Sequence, residues 1–169
     1  MLLCNNIMEV MIGNRRLKMI DGKVCIVLFN KLRVEVKSGR FTPIKFHDME
    51  GYNRCSITID GSRKRLLEHR LVWKLANPDW DIWDSSMDNL IDHYNRNKRD
   101  NRLENLHVVN KQQNNWNTDA KGYCFDEATG KYKAYIRINY VLKHLGYYAT
   151  EEEARASYLE AKKKYHPIV

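Results

Sequence analysis

Apolar and polar positions alternate through much of the first third of the chain. Leu17-Lys-Met-Ile is followed by Asp21-Gly22 and then by an apolar run over residues 23–29. Successive side chains of a strand point to opposite faces, and Asp-Gly between two apolar runs favours the tight turn of a hairpin. Residues 32–37 alternate strictly up to Ser38-Gly39, and Cys55-Ser-Ile-Thr-Ile alternates up to Asp60-Gly61. A strand through residues 65–67 is predicted to close that second hairpin. Residues 14–60 therefore read as strands, and residues 1–50 as a strand-rich, basic N-terminal region.

At His69 the period changes. Residues 69–76 have the spacing of a short helix with Leu71, Val72, Leu75 and Ala76 inward, and Asn77-Pro78 ends it. Residues 79–88 hold two tryptophans and four acids; they are expected to form a loop packed on that helix. A short strand over residues 90–93, a polar loop over 94–102 and a second strand over 106–109 come next. Asn110 followed by Gln113 has the form of a capping box, so a helix is expected to start there with Asn110 as N-cap. The tail is a separate unit. Gly122-Tyr123 opens a strand, and Thr129-Gly130 turns it. In residues 131–139, Tyr132, Ala134, Ile136 and Ile138 face one way, and Lys133, Tyr135, Arg137 and Asn139 the other. Residues 144–147 form a third strand. Thr150 and Glu153 make another capping box, and the helix that follows carries Ala154, Tyr158, Ala161 and Tyr165 on its apolar stripe. The expected fold class is α+β: a strand-rich start, a central strand–loop–strand–helix, and a three-stranded antiparallel sheet packed on one helix. The expected domains are residues 1–50, 51–118 and 119–169.

Composition narrows the function. The hydrophobic content of 43% supports a folded core. The apolar runs fall short of the roughly 18–20 residues that cross a bilayer, and the start lacks the basic-then-apolar order of a signal peptide. A cytoplasmic protein is expected. Cys4, Cys25, Cys55 and Cys124 are widely spaced, which argues against both a zinc site and a disulfide framework. The net charge is +8, and residues 14–74 carry 15 basic against 6 acidic residues. That balance suits a polyanion, most often nucleic acid.

The chemistry concentrates in residues 89–117, a stretch of 29 that holds nine asparagines around the single pair Asp92-His93. Phosphodiester hydrolysis needs a base that takes a proton from water near neutral pH, which a neutral histidine supplies. It also needs positive charge at the departing oxygen, which a divalent cation supplies. Mg²⁺ and Mn²⁺ prefer oxygen ligands, so one carboxylate and one amide oxygen suffice beside phosphate oxygens and water. Asp92 and His93 are neighbours at a strand end and point apart, so one can hold a metal while the other faces a water. Asn114, in the first turn of the helix that opens at Asn110, is expected beside Asp92. Asn105 is expected to pin the His93 loop through backbone hydrogen bonds, while Asn97 and Asn101 suit turn positions. Arg96, Lys98 and Arg99 are expected to touch phosphates, as is Lys111 at the scissile position. His69 reads as a packing or loop-pinning residue.

Asp92-His93, then Asn101-Arg102-Leu103-Glu104-Asn105-Leu106, then Asn114-Asn115, resembles the HNH endonuclease family. The lead-in His69-Arg70-Leu71-Val72 resembles its phage and intron-encoded homing members. The likeness covers roughly residues 50–118. It implies a ββα-metal fold with His93 as general base, Asp92 and Asn114 as ligands of one divalent ion, and Asn105 as the structural asparagine. The tail resembles the APETALA2 DNA-binding domain in Gly130-Lys131-Tyr132-Lys133-Ala134-Tyr135-Ile136-Arg137, Leu145-Gly146-Tyr147 and Thr150-Glu-Glu-Glu-Ala154. That likeness implies a sheet laid in the major groove, with Lys131, Lys133, Tyr135, Arg137 and His144 facing DNA. Together these imply a metal-dependent homing endonuclease that acts as a monomer on double-stranded DNA. The rival reading is a non-catalytic duplex-DNA-binding regulator with a degenerate HNH scaffold.

Overall fold

A computed structural model describes residues 8–27 and 41–167. Cys4, residues 28–29 of the predicted second strand and the predicted strand over residues 32–37 lie outside the described residues. The described residues form four small sheets and three α-helices, and the chain divides into two compact units, Met1–Val108 and Val109–Val169.

In the first unit, β1 (Glu9–Ile12), β2 (Arg15–Ile20), β3 (Lys23–Val27) and β4 (Phe41–Pro43) pair antiparallel in sequence order. β5 (His47–Met49), β6 (Tyr52–Ile59) and β7 (Ser62–Leu67) form a second antiparallel sheet. Both predicted hairpins are present. Their turns, Asp21-Gly22 and Asp60-Gly61, have positive φ at both residues, as a two-residue turn matched to strand twist requires. The two sheets are tied at their turns. The Asn14 N–H donates to Asp60 Oδ1 at 3.0 Å and the Asp60 N–H donates to Asn14 Oδ1 at 2.9 Å. Leu17, Val24, Cys55, Ile57, Ile59 and Leu66 supply the strand side of one core. Burial pushes the Cys55 thiol up to about 11, so it packs as a small apolar group.

α1 (Glu68–Ala76) buries Leu71, Val72 and Leu75 on that core, the expected face. The loop after it packs as expected, held by two cations of the helix. Arg70 donates to the carbonyls of Ile82, Asp84 and Asn89 and lies 4.6 Å from the Trp80 ring centroid. Lys74 donates to the carbonyls of Pro78 and Trp80. Asn89 completes the wrap by accepting from the Trp80 indole at 2.5 Å. This folded loop delivers the chain to β8 (Leu90–His93), which pairs with β9 (Leu106–Val109).

The first helix of the second unit is α2 (Lys111–Trp116). Asn110 caps it with the full reciprocal box: its side chain accepts the Gln113 N–H and the Gln113 side chain accepts the Asn110 N–H. β10 (Tyr123–Asp126), β11 (Lys131–Ile138) and β12 (Val141–Tyr148) form an antiparallel sheet, and α3 (Glu151–Tyr165) packs on it. The third strand is longer than residues 144–147 because the hairpin turns at Asn139-Tyr140, both with positive φ. Ile136 packs with Tyr158 and Ala161 of the helix stripe, and Ala134 and Ala154 are buried as well. Thr150 and Glu153 form the second predicted capping box. No helix among the described residues is long and apolar enough to cross a membrane.

Candidate active site

β8 ends on Asp92 and His93. Asp92 Oδ1 accepts the backbone N–H of His93 at 2.8 Å, which fixes the carboxylate against its own strand. The loop beyond is built largely from asparagine. Asn105, 6% exposed, accepts the Asn95 N–H at 2.9 Å and donates to the Asp100 carbonyl at 2.7 Å, and its backbone carbonyl accepts the Tyr94 N–H. One buried amide thus closes both ends of the loop, where a primary amide alone offers an acceptor and two donors on a short stem. Asn95 Oδ1 accepts the Asn97 N–H, and Asn97 Oδ1 accepts the Arg99 N–H, in the side-chain turns that asparagine forms readily. Arg102 donates to both Asp100 oxygens and holds that carboxyl well below the usual carboxylate range.

His93 is 3% exposed. Its ring lies edge-on to His69 at 5.1 Å and near Tyr52 at 6.0 Å. Burial, with smaller contributions from His93 and Arg70, pushes His69 down to about 3, so it stays neutral beside the first ring. His93 Nε2 lies 2.8 Å from Asn101 Oδ1. Asn101 is therefore not a turn residue like Asn97: its other end donates to Glu68 Oε2 at 2.7 Å, and the same oxygen accepts from Asn53 at 2.6 Å. His107, on β9, brings Nε2 to 3.7 Å from Asp92 Oδ2, and that nitrogen is buried without a hydrogen-bond partner.

Asp92, His93 and Asn105 thus share one cluster in the first unit. Lys98 and Arg99 are exposed on the loop but already engaged by the hairpin of β5 and β6. Lys98 donates to the Glu50 carbonyl and lies over the Tyr52 ring, and Arg99 pairs with Asp48 at 3.0 Å. Arg96, also exposed, occupies the positive-φ corner of the loop. Lys111 and Asn114 lie on α2; Lys111 is exposed, and the Asn114 N–H donates to the Asn110 carbonyl. On the second unit's sheet, the strand registers set Lys133 opposite Tyr147, Tyr135 opposite His144 and Arg137 opposite Leu142. Directly opposed residues share a face, so His144 and Tyr147 lie with the predicted basic residues, turned from α3. A bulge between Ala134 and Tyr135 leaves that sharing intact on both sides of it.

Sequence reasoning did not find Glu68, Asn53 or His107. Glu68 precedes His69 in the chain, but nothing local distinguishes it from any acid in the first turn of a helix. No group of three or more His, Cys, Asp or Glu among the described residues surrounds a common metal position. The groups suited to hold a cation are the Asp92 carboxylate and, close to it, His107 Nε2, a buried nitrogen without a hydrogen-bond partner, and a buried polar atom left unpaired is costly.

Residues 67–116 match the family model described as HNH endonuclease, which marks an HNH nuclease domain in this segment. No curated protein and no solved structure matches the chain.

Proposed function

We propose that the chain is a metal-dependent DNA endonuclease of homing type, hydrolysing a phosphodiester bond with His93 as general base. The observation that supports this best is Asp92 and His93 side by side at the end of β8, inside the matched segment, in a loop closed by Asn105. His93 would take the proton of the attacking water through a neutral imidazole. Its ring is clamped by burial and by the Asn101 contact, so little reorganisation accompanies proton transfer. Asp92 and Asn114 would hold the divalent ion, Mg²⁺ or Mn²⁺, with His107 as a further donor near Asp92. Such an ion, when bound, neutralises charge developing on the departing 3′ oxygen. The products would be 5′-phosphate and 3′-hydroxyl ends, and one site per chain would leave a nick.

Lys131, Lys133, Tyr135, Arg137 and His144 would lie against duplex DNA, and Arg96, Lys98, Arg99 and Lys111 nearer the cut strand. Lys98 and Arg99 would exchange their present partners for phosphates. Exposed pairs such as Arg99 with Asp48 contribute only about 0–1 kcal/mol, so the exchange is cheap.

Plasmid nicking with Mg²⁺, with and without chelator, tests this reading. The wild-type protein should nick only with free metal, and His93→Ala should slow cutting by roughly 10²–10⁴-fold at unchanged DNA affinity. Wild-type rates in His93→Ala would sink the assignment. Binding with no cutting in the wild type would favour the duplex-DNA-binding regulator.

A further inference from the structure

We propose that Glu68 and Asn101 are positioning residues that fix which nitrogen of His93 carries the proton, so that Nδ1 is the basic one. The inference deepens the nuclease reading, and its use in catalysis rests on that reading.

The chain of contacts runs from carboxylate to amide to imidazole. Glu68 begins α1, where the helix dipole favours a negative charge. An ionised carboxylate only accepts hydrogen bonds. Two amides meet its Oε2, from Asn53 at 2.6 Å and Asn101 at 2.7 Å, and both must present NH₂ groups. For Asn101 this settles the orientation of the whole side chain. With Nδ2 turned to Glu68, the carbonyl oxygen Oδ1 is the atom 2.8 Å from His93 Nε2. An amide oxygen has no proton to give, so Nε2 must be the donor. The neutral ring then holds its lone pair on Nδ1, the ring nitrogen on the side of its own strand backbone.

The relay is needed because the acceptor beside the ring is ambiguous on its own. An asparagine flipped by half a turn would donate to Nε2 and move the proton to Nδ1, leaving no base on that side of the ring. Glu68 removes the ambiguity. Asn53 adds a second donor to the carboxylate, which keeps Glu68 as an acceptor and holds its rotamer.

Nitrogen-15 NMR of the imidazole rings in the 169-residue chain reads the proton's position directly and needs neither metal nor DNA. Wild-type His93 should show a protected proton on Nε2 and a non-protonated Nδ1. Glu68→Gln allows either amide orientation, so a second tautomer should appear and the His93 nitrogen shifts should move toward each other. Asn101→Ala should lose the protected Nε2 proton to solvent exchange. The double variant Glu68→Gln with Asn101→Asp swaps amide and carboxylate. It reverses the hydrogen bond between the two positions but leaves position 101 able only to accept from the His93 ring. It should restore the protected Nε2 proton, which a merely structural role would not do. A proton on Nδ1 in the wild type, or His93 nitrogen shifts unchanged by Glu68→Gln, would overturn the proposal. Cleavage by Glu68→Gln should fall roughly 10- to 100-fold, the scale seen when a partner that orients a functional histidine is lost, with DNA affinity unchanged. If wild-type protein shows the expected tautomer but no nicking, the nuclease reading fails and the relay stands. If it nicks with the proton on Nδ1, the reverse holds.

Discussion

Asparagine is a weak former of both helix and strand, yet in this chain it carries the loop on which the candidate base sits. Asn105 shows why. Its amide satisfies a backbone N–H and a backbone carbonyl at the two ends of the loop, and both lose their partner together in Asn105→Ala. We expect that variant to lose about 1–3 kcal/mol of stability, the cost of stranded polar groups, measured by denaturant unfolding. His69 gives a prediction about pH. Its folded value of about 3 lies below the ordinary 6.5, so between those values the unfolded chain binds the extra proton. The stability that depends on neutral His69 is complete above pH 6.5 and is lost as pH falls toward 3. His69→Phe should therefore flatten the acid side of the stability profile relative to wild type, read as the denaturant midpoint against pH. A parallel acid limb in the two proteins would refute the role given to this ring. At this scale the residue types were legible in the sequence, whereas the partners of Asn101 and His107 were not, since each meets its partner across a fold rather than a turn.

The elements follow their local signals closely. Both Asp-Gly turns, both capping boxes and the alternation of β11 form where neighbouring residues ask for them. Asn110→Ala should destabilise α2, with a cost of about 0.5–2 kcal/mol for a lost N-cap and a fall in amide-exchange protection confined to that helix. In the second unit, Gly122 has φ of +77°, and an added Cβ would lie 2.0 Å from the Tyr158 ring. Backbone strain and overpacking act together there, so Gly122→Ala should destabilise this unit by about 2 kcal/mol or more. Circular dichroism melts of the variant would show it, and an unchanged melt would mean that the sheet and α3 do not pack as described. What the periodicity did not delimit, within a region read only as strand-rich, were the short strands β1, β4 and β5. Each pairs along the edge of a longer neighbour, a contact between strands that the local pattern does not record.

For the whole molecule, charge is the property the sequence states most directly. A chain of net charge +8 should bind DNA with a steep salt dependence. Replacing Lys131, Lys133 and Arg137 by Ala should reduce the log–log salt slope by roughly 0.9 for each phosphate no longer neutralised, while the nicking rate at saturating DNA stays near wild type. A variant with an unaltered slope would remove the second unit's sheet from the DNA interface. The hairpins, caps, helix faces, basic excess and adjacency of Asp92 and His93 were all legible in the residue order, because each depends on residues within a turn or on a sum over the chain. That Glu68 reaches Asn101 across 33 residues, and that Asn101 reaches His93, follows from the folded packing alone. The same packing sets His107 against Asp92 and leaves His69 dry. Contacts between residues far apart in the chain exist only once packing has met the entropy of closing the loops between them, and no local pattern records which of many polar side chains will then lie within about 3 Å of one another.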